Sequence, residues 1–457
     1  MARGMGGRTF WIEHALLPSG WAGDVCLRVE QGRIAQVETG VPPDAGTVRL
    51  GIVVPGLGNL HSHAFQRGMA GLAEAGGDQA DSFWSWRELM YRFLDHLDPD
   101  SFQAIVELAY MEMLEAGFTR VGEFHYLHHG AGGRPYAERA EMCARVAAAA
   151  QATGIGLTLL PVFYAHSDFG GAPPTPAQAR LTHDLEGFAA LMEGAAAAIS
   201  PLGDAVLGVA PHSLRATTPD ELRALLHITP GPVHIHVAEQ VAEVEACLRW
   251  SGQRPVQWLL EHVDVDGRWC LVHATHVLAE EIAGIAASGA VVGLCPITEA
   301  NLGDGVFPVR EFLRAGGRFG IGSDSNVLID SAEELRLLEY GQRLRLRGRN
   351  VLAPPGGGST GRFLFEQAVS GGSQALGAAH GLEVGGSADF VELRSGHPAL
   401  QGGAGDAWLD SWLFAARNGA VESVWRRGGR LVEDGRHFRR DEIVQRYGPA
   451  LRRVLDR

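Results

Sequence analysis

Cysteine is scarce and unpatterned. Five residues (Cys26, Cys143, Cys247, Cys270 and Cys295) are scattered along 457, with no C-x-x-C pair. That argues against a disulfide framework or a cysteine-zinc scaffold and suggests reduced thiols in a cytoplasmic protein. No apolar run is long enough to span a bilayer, so no membrane role is expected. The amino terminus, MARGMGGRTFWIEHALL, lacks the apolar core and small-residue cleavage site of a secretory signal. Basic charge is in deficit: 39 basic against 53 acidic residues leave a net charge of −14. A nucleic-acid footprint would be basic, so no nucleic-acid partner is expected. A local group of arginines can still hold an anionic small substrate. No G-x-G-x-x-G loop follows the first strand of the central region, which argues against a doubly wound dinucleotide-binding sheet.

What remains is ordinary soluble material, 46% hydrophobic and 20% charged, with ample residues for a core. Both ends look β-rich. CLRVEQGRIAQVE reads as a hairpin turning at Gln31-Gly32; SADFVEL and VESVWRRGGRLVEDG read as a strand and a second hairpin with Gly-Gly at its turn. The simplest arrangement is one small β-sandwich domain made from residues 1–54 and 380–457, carrying residues 55–379 as an insert. Within the insert, strands are expected near 52–60, 119–125, 155–163, 205–211, 232–238, 269–275, 290–295 and 318–323. Helical patterns fall between them: 99–116, 138–152, 176–199, 219–228, 241–250 with 254–263, 279–288, 308–315 and 331–346, and FLFEQAVSGGSQAL adds one more. Eight strands each followed by a helix is the pattern of a (β/α)8 TIM-type barrel, an α/β fold. The segment 64–98 exceeds a minimal connection and is expected to cover the active-site face.

In such a barrel the chemistry sits at the C-terminal strand ends. The first strand is read from the apolar run Ile52-Val53-Val54, broken by Pro55, Gly56 and Gly58, and leads to His61-Ser62-His63. Residues two apart in an extended segment share a side, so the two imidazoles project together. An isolated H-x-H is more often two ordinary histidines. Here the fifth strand, VHIHVAE, ends in His236 with Glu239 three residues on; the sixth, CLVHATH, ends in His273 or His276; the eighth, FGIGSDS, ends in Asp324. Taken singly, His236 reads as a core histidine like His234, and Asp324 as a helix cap between Ser323 and Ser325. Together, three histidines and a carboxylate make a divalent-metal site with a position open to water. The histidines of the Tyr126–His129 run read as a solvated loop, or as a weak second metal site.

H-x-H, H-x-x-E, the sixth-strand His and S-D, in that order, resemble the amidohydrolase superfamily in its mononuclear deaminase branch. Gly385-Gly386-Ser387-Ala388-Asp389-Phe390 is similar to the start of that superfamily's C-terminal sheet. No lysine follows the fourth strand, which ends Ala210-Pro211-His212-Ser213, where dinuclear members carry a carboxylated bridging lysine; that favours one metal. HSHAFQRGMAG, FWSWRELMY, VGEFHYLHH, APHSLRA and TEANLGDGVFP further resemble the formimidoylglutamate deiminase family of histidine breakdown. The resemblance implies N-formimino-L-glutamate as substrate, N-formyl-L-glutamate and ammonia as products, and a homodimer. It implies substrate contacts at Gln66, Arg87, Tyr126, His212 and Arg215. Two arginines suit a substrate with two carboxylates, since a guanidinium binds a carboxylate through two hydrogen bonds.

The expected metal ligands are His61, His63, His236 and Asp324. Zinc is the expected ion, and iron(II) or manganese(II) also suit this set. Asp324 would take the proton of the attacking water, Glu239 would shuttle it to the leaving nitrogen, and His273 would orient the water and stabilise the tetrahedral intermediate. Glu299 and Asn301 are read as serving their loop only. A nucleobase or triazine deaminase on the same scaffold is the main alternative, kept open by Phe83, Trp84 and Trp86. An inactive scaffold is the alternative of another class, against which the intact His61, His63, His236, Glu239, His273 and Asp324 set argues.

Overall fold

The computed structural model describes residues 7–75, 82–379, 381–417 and 419–456. Within them the strands form two sheets. Strands β1 (Arg8–Leu17), β2 (Gly20–Glu30), β3 (Arg33–Glu38) and β4 (Val48–Pro55) open the chain. The central sheet follows: β5 (Leu57–Ser62), β6 (Phe118–His125), β7 (Gly156–Phe163), β8 (Val206–Leu207), β9 (Ala210–Pro211), β10 (Val233–Val237), β11 (Trp269–His273), β12 (Val291–Leu294) and β13 (Arg318–Ile321). All its pairings are parallel. The ring closes where Val209, between the short pieces β8 and β9, donates to the Pro232 carbonyl and accepts from the His234 N–H. The result is the expected TIM-type barrel. Every residue of β5, β6, β7 and β10 is buried, as expected for parallel strands covered on both faces.

The terminal strands, joined by β14 (Phe390–Leu393), β15 (Val421–Arg426), β16 (Gly429–Glu433) and β17 (Arg436–His437), form one sheet in the order β17-β16-β15-β14-β4-β1-β2-β3. This sheet folds over itself. β1 and β15 are three strand spacings apart, about 14 Å if flat, yet the rings of Phe10 and Trp425 lie 5.1 Å apart and Phe390 packs edge-on to Phe10 at 5.2 Å. The β2–β3 hairpin turns at Gln31-Gly32, as expected, with φ of 51° and 82°. The second hairpin turns at Arg427-Gly428, one residue before the Gly-Gly reading. Asp204 ties this sheet to the barrel, accepting from Arg120 of β6 at 2.9 Å and from Arg426 of β15.

Four expectations need correction. Ile52–Val54 does not enter the barrel: it belongs to β4, paired parallel with β1 and antiparallel with β14. An apolar run buried in one sheet reads the same as one buried in another. The chain crosses at Gly56, where a Cβ would fall 2.3 Å from the Thr119 Cγ2, and the barrel strand starts at Leu57. The segment 64–98 contains a helix, Phe83–Asp95, capped by Ser82, which accepts from the Trp84 N–H; residues 76–81 of that segment lie outside the described residues. The helix placed at 176–199 begins at Leu185, where Asp184 caps it by accepting from the Gly187 N–H at 2.7 Å. Two C-terminal helices, Asp406–Phe414 and Arg440–Leu455, were not expected, and the second packs Ile443 on Leu108 and Met111 of the barrel helix Pro99–Glu115.

The apolar core of the terminal sheet predicts a stability contrast. Phe390→Ala empties a fully buried ring position and should cost about 3–5 kcal/mol, read as an earlier guanidinium midpoint by tryptophan fluorescence. Leu344→Ala, 82% exposed, should leave the midpoint within error.

Candidate active site

The C-terminal ends of β5, β10, β11 and β13 bring His61, His63, His236, His273 and Asp324 to one point, all buried. The His61 Nε2 lies 3.2 Å from the His63 Nε2 and 3.0 Å from the His236 Nε2. The Asp324 Oδ1 lies 3.4 Å from the His61 Nε2 and 3.3 Å from the His63 Nε2. The ring of His63 is locked: its Nδ1 donates to the Phe124 carbonyl at 2.9 Å, which leaves Nε2 with a free lone pair. Burial lowers His61 to about 4 and His63 to about 3, and pushes His236 well below its usual range, so these rings are neutral. Burial pushes the Asp324 carboxyl up, but His61, His273 and His63 override it and hold it below the usual carboxylate range. Donors about 2.0–2.2 Å from one ion stand roughly 3.3 Å apart, which these spacings match, so the set fits a divalent cation. His61, His236, His273 and Asp324 also lie within 4.8 Å of one another.

Backbone strain serves this convergence. Ala238, His273, Ala274, Asp324 and Asn326 have φ between 45° and 67°, in the left-handed region that side chains disfavour. Asp324 is held on both sides, its N–H donating to the His61 carbonyl and its carbonyl accepting from the His63 N–H, both at 2.9 Å. Gly322 is required there: a Cβ would stand 2.7 Å from the His61 carbonyl oxygen.

His273 sits one step outward. Its Nε2 is 3.7 Å from the Asp324 Oδ2 and 3.8 Å from the Glu239 Oε1, and its Nδ1 is 3.2 Å from the Glu299 Oε1. Burial opposes a charge on His273, but Glu239, Glu299 and Asp324 override it and raise the ring to about 10. Burial raises the Glu239 carboxyl to about 7, against the pull of His273. His276, the alternative at this strand end, does not line the cavity.

These groups form the floor of a cavity walled by Gln66, Phe83, Trp86, Arg87, Met90, Tyr91, Tyr126, Tyr164, His212 and Arg215 among others. The guanidiniums of Arg87 and Arg215 lie 4.4 and 5.9 Å from the same Trp84 ring. Neither has an ion-pair partner among the described residues, and the buried Arg215 Nε is without a hydrogen bond. Gln66 donates to the Tyr126 hydroxyl at 2.7 Å, and its own carbonyl oxygen is buried and unpartnered. The ring of His212 lies between the two ends, 4.6 Å from Tyr164 and 5.0 Å from His236. Burial, then the charges of Arg215 and Arg87, keep it neutral.

The Amidohydrolase family profile matches residues 52–432. The chain belongs to the amidohydrolase family. A second profile, the N-terminal domain of formimidoylglutamate deiminase HutF, matches residues 9–51. The chain is 49% identical to a formimidoylglutamate deiminase of Pseudomonas aeruginosa over 98% of this chain and 99% of the relative. A crystal structure of an amidohydrolase from Brucella melitensis superposes with a TM-score of 0.95 at 55% identity, over 98% of this chain and 100% of that one. An adenosine deaminase from Xanthomonas campestris, solved with bound zinc, gives a TM-score of 0.80 at 21% identity over 98% of both chains, a likeness of fold. The formimidoylglutamate deiminases are therefore the amidohydrolase group to which this chain belongs. Its 39 basic residues are all arginine, so no lysine exists to bridge two metals anywhere in this amidohydrolase.

All the site residues expected from sequence gather in or under this cavity. The Tyr126–His129 run departs from its reading: His125 and His128 are buried, not solvated, and His128 and His129 bond the Val162 and Thr182 carbonyls. Among the described residues this run forms no group compact enough for a metal. Glu299, read as a loop residue, bonds a ring of the site. The part of the cavity wall made by Met90 and Tyr91 was also unread, although Phe83, Trp86, Arg87 and Met90 follow helical spacing and would have revealed the helix. The neutral, converging rings predict that purified protein carries about one divalent ion per chain, and that His61→Ala and Asp324→Ala carry almost none by plasma mass spectrometry.

Proposed function

We propose that this chain hydrolyses N-formimino-L-glutamate to N-formyl-L-glutamate and ammonia, a step of histidine degradation. The observation that carries the reading is the pair Arg87 and Arg215, two guanidiniums sharing Trp84 in one cavity with no ion-pair partner among the described residues. A glutamate-derived substrate brings two carboxylates, and a desolvated arginine fork is their natural counterpart. The name of the Pseudomonas aeruginosa relative supports the same substrate.

In this reading His61, His63, His236 and Asp324 hold the metal, zinc in preference to iron(II) or manganese(II). Of the two overlapping sets, the one with His63 is favoured because its spacings are shorter and the Nδ1 of His63 is locked onto a carbonyl. A divalent ion bound there supplies an acidified water, its pKa lowered toward about 7. Arg87 and Arg215 fix the two carboxylates, with Gln66, Tyr126 and His212 along the chain of the substrate. Asp324 takes the proton of the attacking water. Glu239 delivers one proton to the imino nitrogen as the water adds and relays the proton held by Asp324 to the same nitrogen, so both water protons leave with it as ammonia. His273 orients the water and offsets the charge that grows on its oxygen as the tetrahedral carbon forms.

The chain is further read as a cytoplasmic homodimer without nucleic-acid partners, divided as 1–54 with 380–457 against 55–379. The paucity of cysteine and the acidic net charge support the first part, and family resemblance supports the dimer.

Ammonia release from N-formimino-L-glutamate should be fast, and release from guanine, cytosine and adenosine negligible. Arg87→Ala and Arg215→Ala should each raise KM about 10- to 100-fold, the loss of a charge-assisted hydrogen bond of roughly 1.5–3 kcal/mol, with bound metal unchanged. Release from a nucleobase alone would sink the substrate assignment.

A further inference from the structure

The segment after β12, CPITEANLGDG, is bound to its neighbours in four directions. Thr298 bonds the Ser323 carbonyl and the Ser325 hydroxyl, Asn301 donates to Glu74 and Asp304 accepts from Gln240. These ties hold the short helix Pro296–Leu302 and the turn after it against the neighbouring loops. Glu299 differs. It is buried, its Oε1 accepts from the Cys295 N–H at 2.9 Å, and the same oxygen faces the His273 Nδ1 at 3.2 Å.

His273 needs such a partner. It sits at φ 67°, in the left-handed region that non-glycine residues disfavour. Its Nε2 has Asp324 and Glu239 at 3.7 and 3.8 Å, too far for a hydrogen bond. Among the described residues the one hydrogen bond to the ring is therefore that of Glu299. A carboxylate can only accept, so it requires a proton on Nδ1. That fixes a proton on Nδ1 and the direction in which Nε2 points, toward the gap between Glu239 and Asp324. Glu299 is itself fixed by the Cys295 N–H, one residue past the end of β12, so the constraint passes from the barrel wall to the ring.

We propose that Glu299 is a positioning residue for His273, acting through the Nδ1 hydrogen bond and touching neither substrate nor metal. This rests on the reading of His273 as the group that orients the attacking water. Partners that orient a working histidine are commonly worth 10- to 100-fold in activity.

The test uses the whole, metal-loaded protein in four forms: wild type, Glu299→Ala, Glu299→Gln and His273→Asn. Glu299→Ala should lower kcat about 10- to 100-fold, with KM for N-formimino-L-glutamate within about threefold and the metal content unchanged. Glu299→Gln keeps the size and a carbonyl acceptor, so it should fold where the alanine variant does not and recover most of the lost kcat. The downfield imidazole N–H proton resonance of the wild type should vanish in both Glu299→Ala and His273→Asn and persist in Glu299→Gln. Full kcat in Glu299→Ala, a rise in KM that matches the fall in kcat, or an N–H resonance that survives the alanine change would each overturn the proposal. Wild-type turnover in His273→Asn would instead remove the reading of His273, and the proposal with it.

Discussion

Three buried imidazole nitrogens and a carboxylate oxygen meet in a string of contacts of 3.0–3.4 Å. Lone pairs packed this closely repel unless a positive centre lies among them, and buried charge left unpaired is costly. Much of the barrel is arranged around that demand. Three of its strand ends adopt left-handed backbone, Gly322 lets two strands approach, and Phe124 offers its carbonyl to lock one ring. Each concession would destabilise an ordinary core. A cation bound by this set would offset that cost.

The cavity is electrically divided. Its floor, around Asp324 and Glu239, is acidic and calls for positive charge. Its wall, at Arg87 and Arg215, is basic and calls for negative charge. Neutral His212 lies between. A molecule that fits must be anionic at one end and present a polarisable, nitrogen-bearing carbon at the other. This polarity, more than the shape of the cavity, separates a dicarboxylate amidine from a flat uncharged heterocycle, for which two unpaired guanidiniums would be left desolvated.

The barrel and the cluster at its strand ends were legible in the sequence because they are local: His61-Ser62-His63, His236, His273 and Asp324 each end an apolar run, and strand ends are where such a barrel does its work. What was not legible depended on contacts between distant segments. Ile52–Val54 looked like barrel strand because apolarity marks burial without saying in which sheet. Phe83–Asp95 looked like a loop because its aromatic residues were read as ring contacts, although their spacing is helical. Arg440–Leu455 was hidden by its many arginines, with few apolar positions to mark its buried face. Glu299 looked like loop furniture because its partner, His273, is 26 residues away and on another strand.

The sheet shared by the two chain ends has a consequence for biosynthesis. β4 can pair with β1 as soon as both leave the ribosome, but its other edge waits for β14. Roughly 335 residues separate Pro55 from Phe390, about 20–70 s of translation at ordinary speeds. For that interval the apolar edge Ile52-Val53-Val54 is an unpaired template, open to any extended segment that meets it. The nascent chain therefore depends on the barrel forming promptly beside that edge, or on a chaperone covering it until the last strands arrive.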